Sequence, residues 1–541
     1  MKLESLALAL AARVCALAAE LQSPLGQGVG QQQGPLTAEF DDFVADKLRE
    51  WKVPGMSLAV IDGHKVYAKG YGFATLPSTP ATPDTLWYGA STTKAYVAAT
   101  LGHLIDSGEH AELAKGWDTA MASILGDDFV LEDEWATNHV TLDDAVSHRS
   151  GMTRHDKSCV HMVNGSQASP RDIVRNMRNL PLKREPRVKY SYCNLMYVAL
   201  GHALERLTRQ PVAKLLHDVI WRPLGMKATF VHLDDAQQAP QHLASGYWWD
   251  DETDSFKPVE NMHLSELVSA GGIISNVLDY AQWVKCLIHQ QAPFSNRVHA
   301  DIRRPRTIKD DVSLPGLEFS LYGLGWEHRS YMGHTVLTHS GILDAFGAQV
   351  YWLPDAKFGA VAFANTAWTS NAVQDIAIHR LIRDKLGIPQ GGMVDVDKIW
   401  KDLLFSMKHA GDKVDQRLFP DRADPPCPST FRAESLEGTY SNPGFGEFTL
   451  HRELDPERPA DIVLVADRSN MTWRYQFRLH HVSGNFWVVH ATVAGNPTFL
   501  HDYHRGEFRA GVNGNVSQLD IQWTGVLSGE DEGTSVFEKV A

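Results

Sequence analysis

The sequence predicts an α/β (α+β) domain built on an antiparallel five-stranded sheet flanked by helices, followed by an all-β domain closed as an eight-stranded barrel. Three observations carry this. Residues 54–75 hold two β-rich runs joined at Asp62-Gly63, a pair that tolerates the positive φ of a tight hairpin turn. Three strand-like runs follow in succession between residues 335 and 366: Thr335–Gly341, FGAQVYWLP and GAVAFANT, the last two separated by a Pro-Asp-Ala-Lys turn. From about residue 431 the composition changes to short β-rich runs between Gly, Asn and Asp turns: GTYSN, EFTLHRE, DIVLVAD, WRYQFRLHHV, NFWVVHATV, EFRAGV, QLDIQWTG and SVFEKV. The first two sets make five strands. The third suits an antiparallel barrel or sandwich of eight.

The remaining elements fall between these. A helix over about Thr37–Trp51 places Phe40, Phe43, Val44 and Leu48 at helical spacing, and a further helix opens at Ser91. Thr141–Val146 reads as a capped helix, another lies near 171–179, and Tyr192-Cys193-Asn194 runs straight into an apolar helix. Ser269–Ser275 is a Gly-hinged turn before a helix ending near Ile288, and Leu321–Trp326 reads as one more strand. The expected organisation is a leader over 1–36, an α/β domain over 37–390, a charged helical linker over 391–430 with the Pro-rich DRADPPCPST, and the β-domain over 431–541.

With 541 residues, 43% hydrophobic and 21% charged, the chain is long enough for several globular cores. A net charge of −14 and the lack of a basic patch exclude a nucleic-acid surface and an anionic-membrane surface. No stretch is long and apolar enough to span a bilayer. The first twenty residues partly resemble a secretory signal, with Lys2, an apolar run and Ala16-Leu17-Ala18, but Glu4 and Arg13 interrupt it, which leaves a secreted or a cytoplasmic protein open. Five scattered cysteines form neither a disulfide framework nor a zinc site and are expected to be buried thiols.

Chemistry points first to Ser91-Thr92-Thr93-Lys94. A helix places positions three apart on one face, so Ser91 and Lys94 can touch, and a serine at a helix N-terminus sits among unpaired N–H groups that favour developing negative charge. The same residues also fit an N-cap serine followed by a solvated lysine. Tyr192-x-Asn194 holds a phenol and an amide at the mouth of a buried helix, and His339-Ser340-Gly341 ends a strand. His155-Asp156 is a second pair of interest, although neighbouring side chains on a loop seldom face one point. His501-Asp502-Tyr503-His504 suggests a metal less than a strand edge or turn.

The three motifs, in the order Ser91-x-x-Lys94, Tyr192-x-Asn194, His339-Ser340-Gly341, resemble the serine β-lactamase and penicillin-binding protein superfamily. The resemblance is to its class C-like branch, which includes D-aminopeptidases, esterases and fungal acyltransferases. GYGFAT, TPDTLWYGASTTK, VSHRSGM, SAGGIISN, YGLGW and HSGILDAFGAQVYWLP are similar in order and spacing, covering roughly residues 38–385. The resemblance implies an acyl hydrolase or acyltransferase that acts on an ester, amide or lactone through acyl-Ser91, with Lys94 and Tyr192 as the base system and no cofactor or metal. Asn194 would orient Lys94 or bind substrate, and the N–H groups of Ser91 and Ile342 would form the oxyanion hole. Gly341 would let substrate lie along its strand.

His339 departs from the lysine of true β-lactamases, and a mostly neutral side chain there argues against efficient penicillin hydrolysis. Tyr247, Trp248, Trp249 and Trp326 either line an aromatic acyl pocket or simply pack. The β-domain resembles the lipocalin-like barrel appended to some superfamily members. The partner is then a small-molecule acyl substrate, with no nucleic acid and an unspecified oligomeric state. The alternative is a catalytically silent relative that binds peptides or small metabolites.

Overall fold

The computed structural model describes residues 34–310, 317–389, 394–455, 461–525 and 531–540. The signal-like segment, Cys15 and all but the last three residues of the expected leader lie outside the described residues. The chain divides into two compact units, one within Met1–Thr119, Thr141–His148 and Ala203–Trp400, the other within Ala120–Val140, Arg149–His202 and Lys401–Ala541.

The strands of the first unit's two larger sheets are β1 (Gly55–Asp62), β2 (Lys65–Thr75), β3 (Thr79–Pro80), β4 (Trp87–Ala90), β5 (Thr229–Phe230), β6 (Ile273–Ser275), β7 (Thr307–Asp310), β8 (Leu317–Gly323), β9 (Trp326–Tyr331), β10 (His334–Leu343), β11 (Phe346–Leu353) and β12 (Phe358–Ala364). They form a nine-stranded antiparallel sheet in the order β7-β8-β9-β10-β11-β12-β1-β2-β3 and a small sheet β4-β6-β5. The five expected strands are its contiguous middle, β10-β11-β12-β1-β2, widened at both edges. One expectation fails locally: Leu321–Trp326 is not a single strand, because Leu324-Gly325 turns the chain from β8 into β9.

The helices that bear on the site are α1 (Ala38–Glu50), α2 (Thr93–Ser107), α3 (Asn194–Thr208), α4 (Val277–His289) and α5 (Thr369–Leu386). Thr37 caps α1 by accepting the Phe40 N–H at 3.2 Å, and Phe40, Val44 and Leu48 are its buried stripe. The sequences FGAQVYWL and FGAVAFA of β11 and β12 are buried at every position, as strands covered on both faces must be. α4 and α5 supply the two covers. Gly359 faces Val284 of α4 and lies opposite Trp352, whereas Gly347, of the other strand parity, faces Asn371 of α5.

In the second unit β13 (Gly438–Asn442), β14 (Gly446–Leu454), β15 (Ile462–Arg468), β16 (Tyr475–Ser483), β17 (Phe486–Val493), β18 (Asn496–Ala510), β19 (Val516–Thr524) and β20 (Asp531–Lys539) close into a barrel, with β20 returning to β13 at Tyr440 and Lys539. Alternate residues point inward, and Tyr440, Phe448, Phe477, Phe508, Trp523 and Phe537 are buried. The expected run EFRAGV is the tail of a longer strand. His501–His504 sit inside β18, with Asp502 and His504 buried while His501 and Tyr503 stack on His490 from the other side. Cys159, Cys193 and Cys286 are buried as expected, but Cys427, on the Pro-rich connector, is exposed.

Candidate active site

Ser91 sits two residues before a helix, between β4 and α2. The helix begins at Thr93 rather than at Ser91 itself, because Ala90 takes a left-handed φ of 47° and Gly89-Thr92 closes a turn, with the Thr92 N–H donating to the Gly89 carbonyl at 3.2 Å. A non-glycine residue held at positive φ stores about 1 kcal/mol, and here it stands directly before the serine. The turn is pinned by side chains: Thr93 Oγ1 donates to the Ala90 carbonyl at 2.6 Å and accepts the Ile273 N–H at 3.0 Å. Lys94 is fully buried, and its Nζ lies 3.1 Å from Ser91 Oγ and donates to the Ala270 carbonyl at 2.7 Å. Gly325, at φ +74°, lets the β8–β9 turn press on this helix start; a Cβ there would lie 2.6 Å from Ala95 Cα.

β10 supplies the opposite wall. Its ladder with β9 ends at Thr338, and from His339 to Leu343 it pairs with β11 alone among the described residues. Gly341 faces the serine-bearing strand so closely that a Cβ would meet the Gly89 carbonyl oxygen at 2.2 Å. Its lack of a side chain is therefore required by strand packing, which the sequence argument about substrate did not anticipate. Asn371, buried on α5, donates Nδ2 to the Gly341 carbonyl at 3.0 Å and to the Ala348 carbonyl at 3.3 Å. A planar trans peptide sends its N–H opposite to its carbonyl, so this anchor aims the Ile342 N–H away from β11.

His339 is buried on the same face. Burial, reinforced by the charge of Lys94, pushes its pKa down to about 4. The neutral tautomer follows from its partners. Nδ1 lies 2.7 Å from the Ser340 carbonyl, which only accepts, so Nδ1 carries the proton and Nε2 accepts from the Tyr322 hydroxyl at 3.0 Å. Nearby, Glu327 is held ionised: although burial opposes it, Lys309 and Arg329, each at 2.8 Å, bring its carboxyl well below the usual range.

Tyr192 and Asn194 belong to the second unit, at the start of α3. The Arg154 guanidinium stacks 5.0 Å from the Tyr192 ring centroid, and Asn194 Nδ2 donates to Asp156 Oδ1 at 2.9 Å. Asp156 also takes Arg154 Nε at 2.9 Å, while His155 turns to the Pro181 carbonyl and Thr153. The adjacent His155 and Asp156 thus face different partners. Trp326 packs edge-on against Trp352 in the core at 5.6 Å, and Tyr247 Oη accepts the Leu76 N–H at 2.9 Å. Sequence reasoning missed Ala270 and Asn371. Ala270 was within reach, since it lies in SAGGIISN; a lone asparagine on a helix carried no signal.

The sequence matches the beta-lactamase family over residues 40–383. The chain belongs to that family. Over 498 residues it is 36% identical to an unguisins hydrolase of Aspergillus campestris, covering 92% of this chain and 91% of that one. It is 25% identical over 370 residues to a D-aminopeptidase of Brucella anthropi, covering 67% and 65%. The octameric penicillin-binding protein homologue from Pyrococcus abyssi superposes with a TM-score of 0.55 at 19% identity, over 93% of this chain and 99% of that one, which shows the fold. This beta-lactamase-family chain is accordingly a serine hydrolase with a closed C-terminal barrel. Among the described residues no helix is long and apolar enough to cross a membrane.

Proposed function

We propose that the protein is an amide-bond hydrolase that forms an acyl-enzyme on Ser91. The observation that carries this reading is the buried Lys94 Nζ at 3.1 Å from Ser91 Oγ. A serine hydroxyl needs an adjacent base to attack a carbonyl, and Lys94 with Tyr192 forms that base system, taking the Ser91 proton and returning one to the leaving amine. The N–H groups of Ser91 and Ile342 stabilise the tetrahedral oxyanion, Asn194 contributes on the substrate side, and water then releases the acyl group. The small-molecule substrate is an amide or peptide carrying a D-configured residue on its acyl side; the name of the D-aminopeptidase relative supports this choice over an ester or lactone, and that of the unguisins hydrolase relative supports hydrolysis. A neutral His339 offers no fixed cation to a penicillin carboxylate, so penicillin is a poor substrate.

The test is intact mass spectrometry of the protein and of Ser91→Ala after exposure to D-amino acid p-nitroanilides, p-nitrophenyl acyl esters and a penicillin. The expected result is an acyl-sized mass gain with chromophore release from the D-amino acid probes, and a loss of about 10⁴-fold or more in Ser91→Ala. Equal release by both proteins with no adduct would reject the reading in favour of a silent binder of peptides or small metabolites.

A further inference from the structure

The segment that precedes Tyr192 is built into the barrel. Within the second unit, Val160 forms an antiparallel bridge with Met471, the His161 N–H donates to the Asn470 carbonyl at 2.9 Å, and the Thr472 N–H donates to the Cys159 carbonyl at 2.9 Å. These bonds extend the β15–β16 connection by a short strand-like step. Lys157 goes further in. Its ammonium forms an ion pair with Asp502 of β18, whose side chain is 0% exposed, and it lies 5.7 Å from the Tyr475 ring centroid and 6.0 Å from that of Trp523, both inward-facing barrel residues. The buried Arg468 of β15 donates to the Lys157 carbonyl at 3.2 Å, so backbone and side chain are both held.

Immediately before this anchor come Arg154 and Asp156. Asp156 divides its carboxylate between Arg154 Nε and Asn194 Nδ2, each at 2.9 Å, and Arg154 covers the Tyr192 ring. A second tie runs from the Thr153 hydroxyl to the Glu532 carbonyl at 3.3 Å, and a third from Lys183 to Asp531. A continuous chain of contacts thus leads from the barrel interior to the phenol and amide of the Tyr-x-Asn motif.

We propose that the barrel is the positioning device for Tyr192 and Asn194: Lys157 seated on Asp502 fixes the 153–161 segment, from which Arg154 and Asp156 hold the two residues in place. This rests on the reading of Tyr192 as part of the base system. Arg154, Asp156, Lys157 and Asp502 are positioning residues, and none of them is required to touch substrate. A carboxylate clamped from two sides sets a side chain to within a few tenths of an ångström, and displacement of a general base by about 1 Å costs on the order of 10²-fold in rate.

The test uses the full-length protein with Asp156→Asn, the double exchange Lys157→Met with Asp502→Leu, Tyr192→Phe alone and combined with Asp156→Asn, and Arg154→Met beside Arg154→Lys. The double exchange replaces a buried ion pair by apolar side chains, a swap that folded proteins tolerate. Two quantities are read: hydrogen–deuterium exchange of residues 188–198, and the rate of Ser91 acylation by a p-nitrophenyl acyl ester. Asp156→Asn and the double exchange should each speed exchange of 188–198 by about 10-fold and slow acylation by about 10- to 10²-fold, with KM changed by less than about 3-fold. In a Tyr192→Phe background Asp156→Asn should add almost nothing to the loss in acylation, a non-additivity that general destabilisation does not produce. Arg154→Lys should restore most of the rate lost in Arg154→Met. Unchanged exchange and acylation in the Asp156 and Lys157/Asp502 variants, beside a slow Tyr192→Phe, would overturn the positioning role alone. Wild-type acylation in Tyr192→Phe would instead reject the base reading, and the exchange data would still decide whether the barrel orders the segment.

Discussion

Around Ser91 the backbone is placed by atoms in contact: Gly341 against the Gly89 carbonyl, Gly325 against Ala95, and Ala90 forced to positive φ. Around Tyr192 placement comes from charges and hydrogen bonds, with Arg154, Asp156, Lys157 and Asp502 in sequence. Steric placement is rigid and indifferent to salt, because close packing of neutral backbone atoms has no screened component. Electrostatic placement can be weakened gradually, since each link carries a part of the ordering. In the proposed mechanism the nucleophile therefore either fits or does not, whereas the alignment of the base can be adjusted.

The sharpest way to break this comparison is Gly341→Ala. A methyl group aimed at a backbone oxygen 2.2 Å away must shift β4 or β10, and the expected outcome is a loss of acylation of about 10²-fold or more with destabilisation of about 3 kcal/mol. Stopped-flow acylation and thermal melting check it; wild-type behaviour in both would mean the two strands yield easily and the steric account is wrong. Asn371→Ala comes next. It leaves the strands packed but releases the Gly341–Ile342 peptide plane, and kcat should fall by about 10-fold at nearly constant KM while Ser91 is still labelled. A changed KM with constant kcat would place Asn371 in substrate binding instead.

The smallest effect concerns pH. Burial holds His339, beside Lys94, and His328, beside Arg306, at about 4, and burial, opposed by the hydrogen bond to the Pro181 carbonyl, puts His155 there as well. These folded-state values lie below the ordinary 6.5, so between pH 6.5 and 4 the unfolded chain binds protons that the folded chain refuses. Stability is thus fully present above about pH 6.5 and falls as pH drops toward 4, by on the order of 5–10 °C in melting midpoint. Calorimetry across that interval checks it, and a flat midpoint would contradict the neutral tautomer of His339.

Much of this was legible in one dimension. The Asp62-Gly63 hairpin and the runs after Thr335 announce a sheet because a strand buried on both faces must be apolar throughout, as β11 and β12 are. The barrel runs announce themselves by alternation. The extra width of the sheet was hidden in polar stretches such as Trp326–Tyr331, WEHRSY, where Glu327 and Arg329 neutralise one another and leave no apolar signature. β18 was legible only at its tail for a similar reason, since its inward Asp502 and His504 read as a strand edge or turn until Lys157 is seen against them.

Local sequence determined what depends on neighbours in the chain: the approach of Lys94 to Ser91, three residues apart at a helix start, and the order of the three motifs. The reason is that a helical turn fixes such distances whatever the rest of the molecule does. Only the tertiary structure decided what depends on partners tens to hundreds of residues away. It brought the Ala270 carbonyl to Lys94 and Asn371 to the Gly341 peptide, and it seated Lys157 on Asp502. Those contacts arise from packing and burial, which no spacing along the chain encodes.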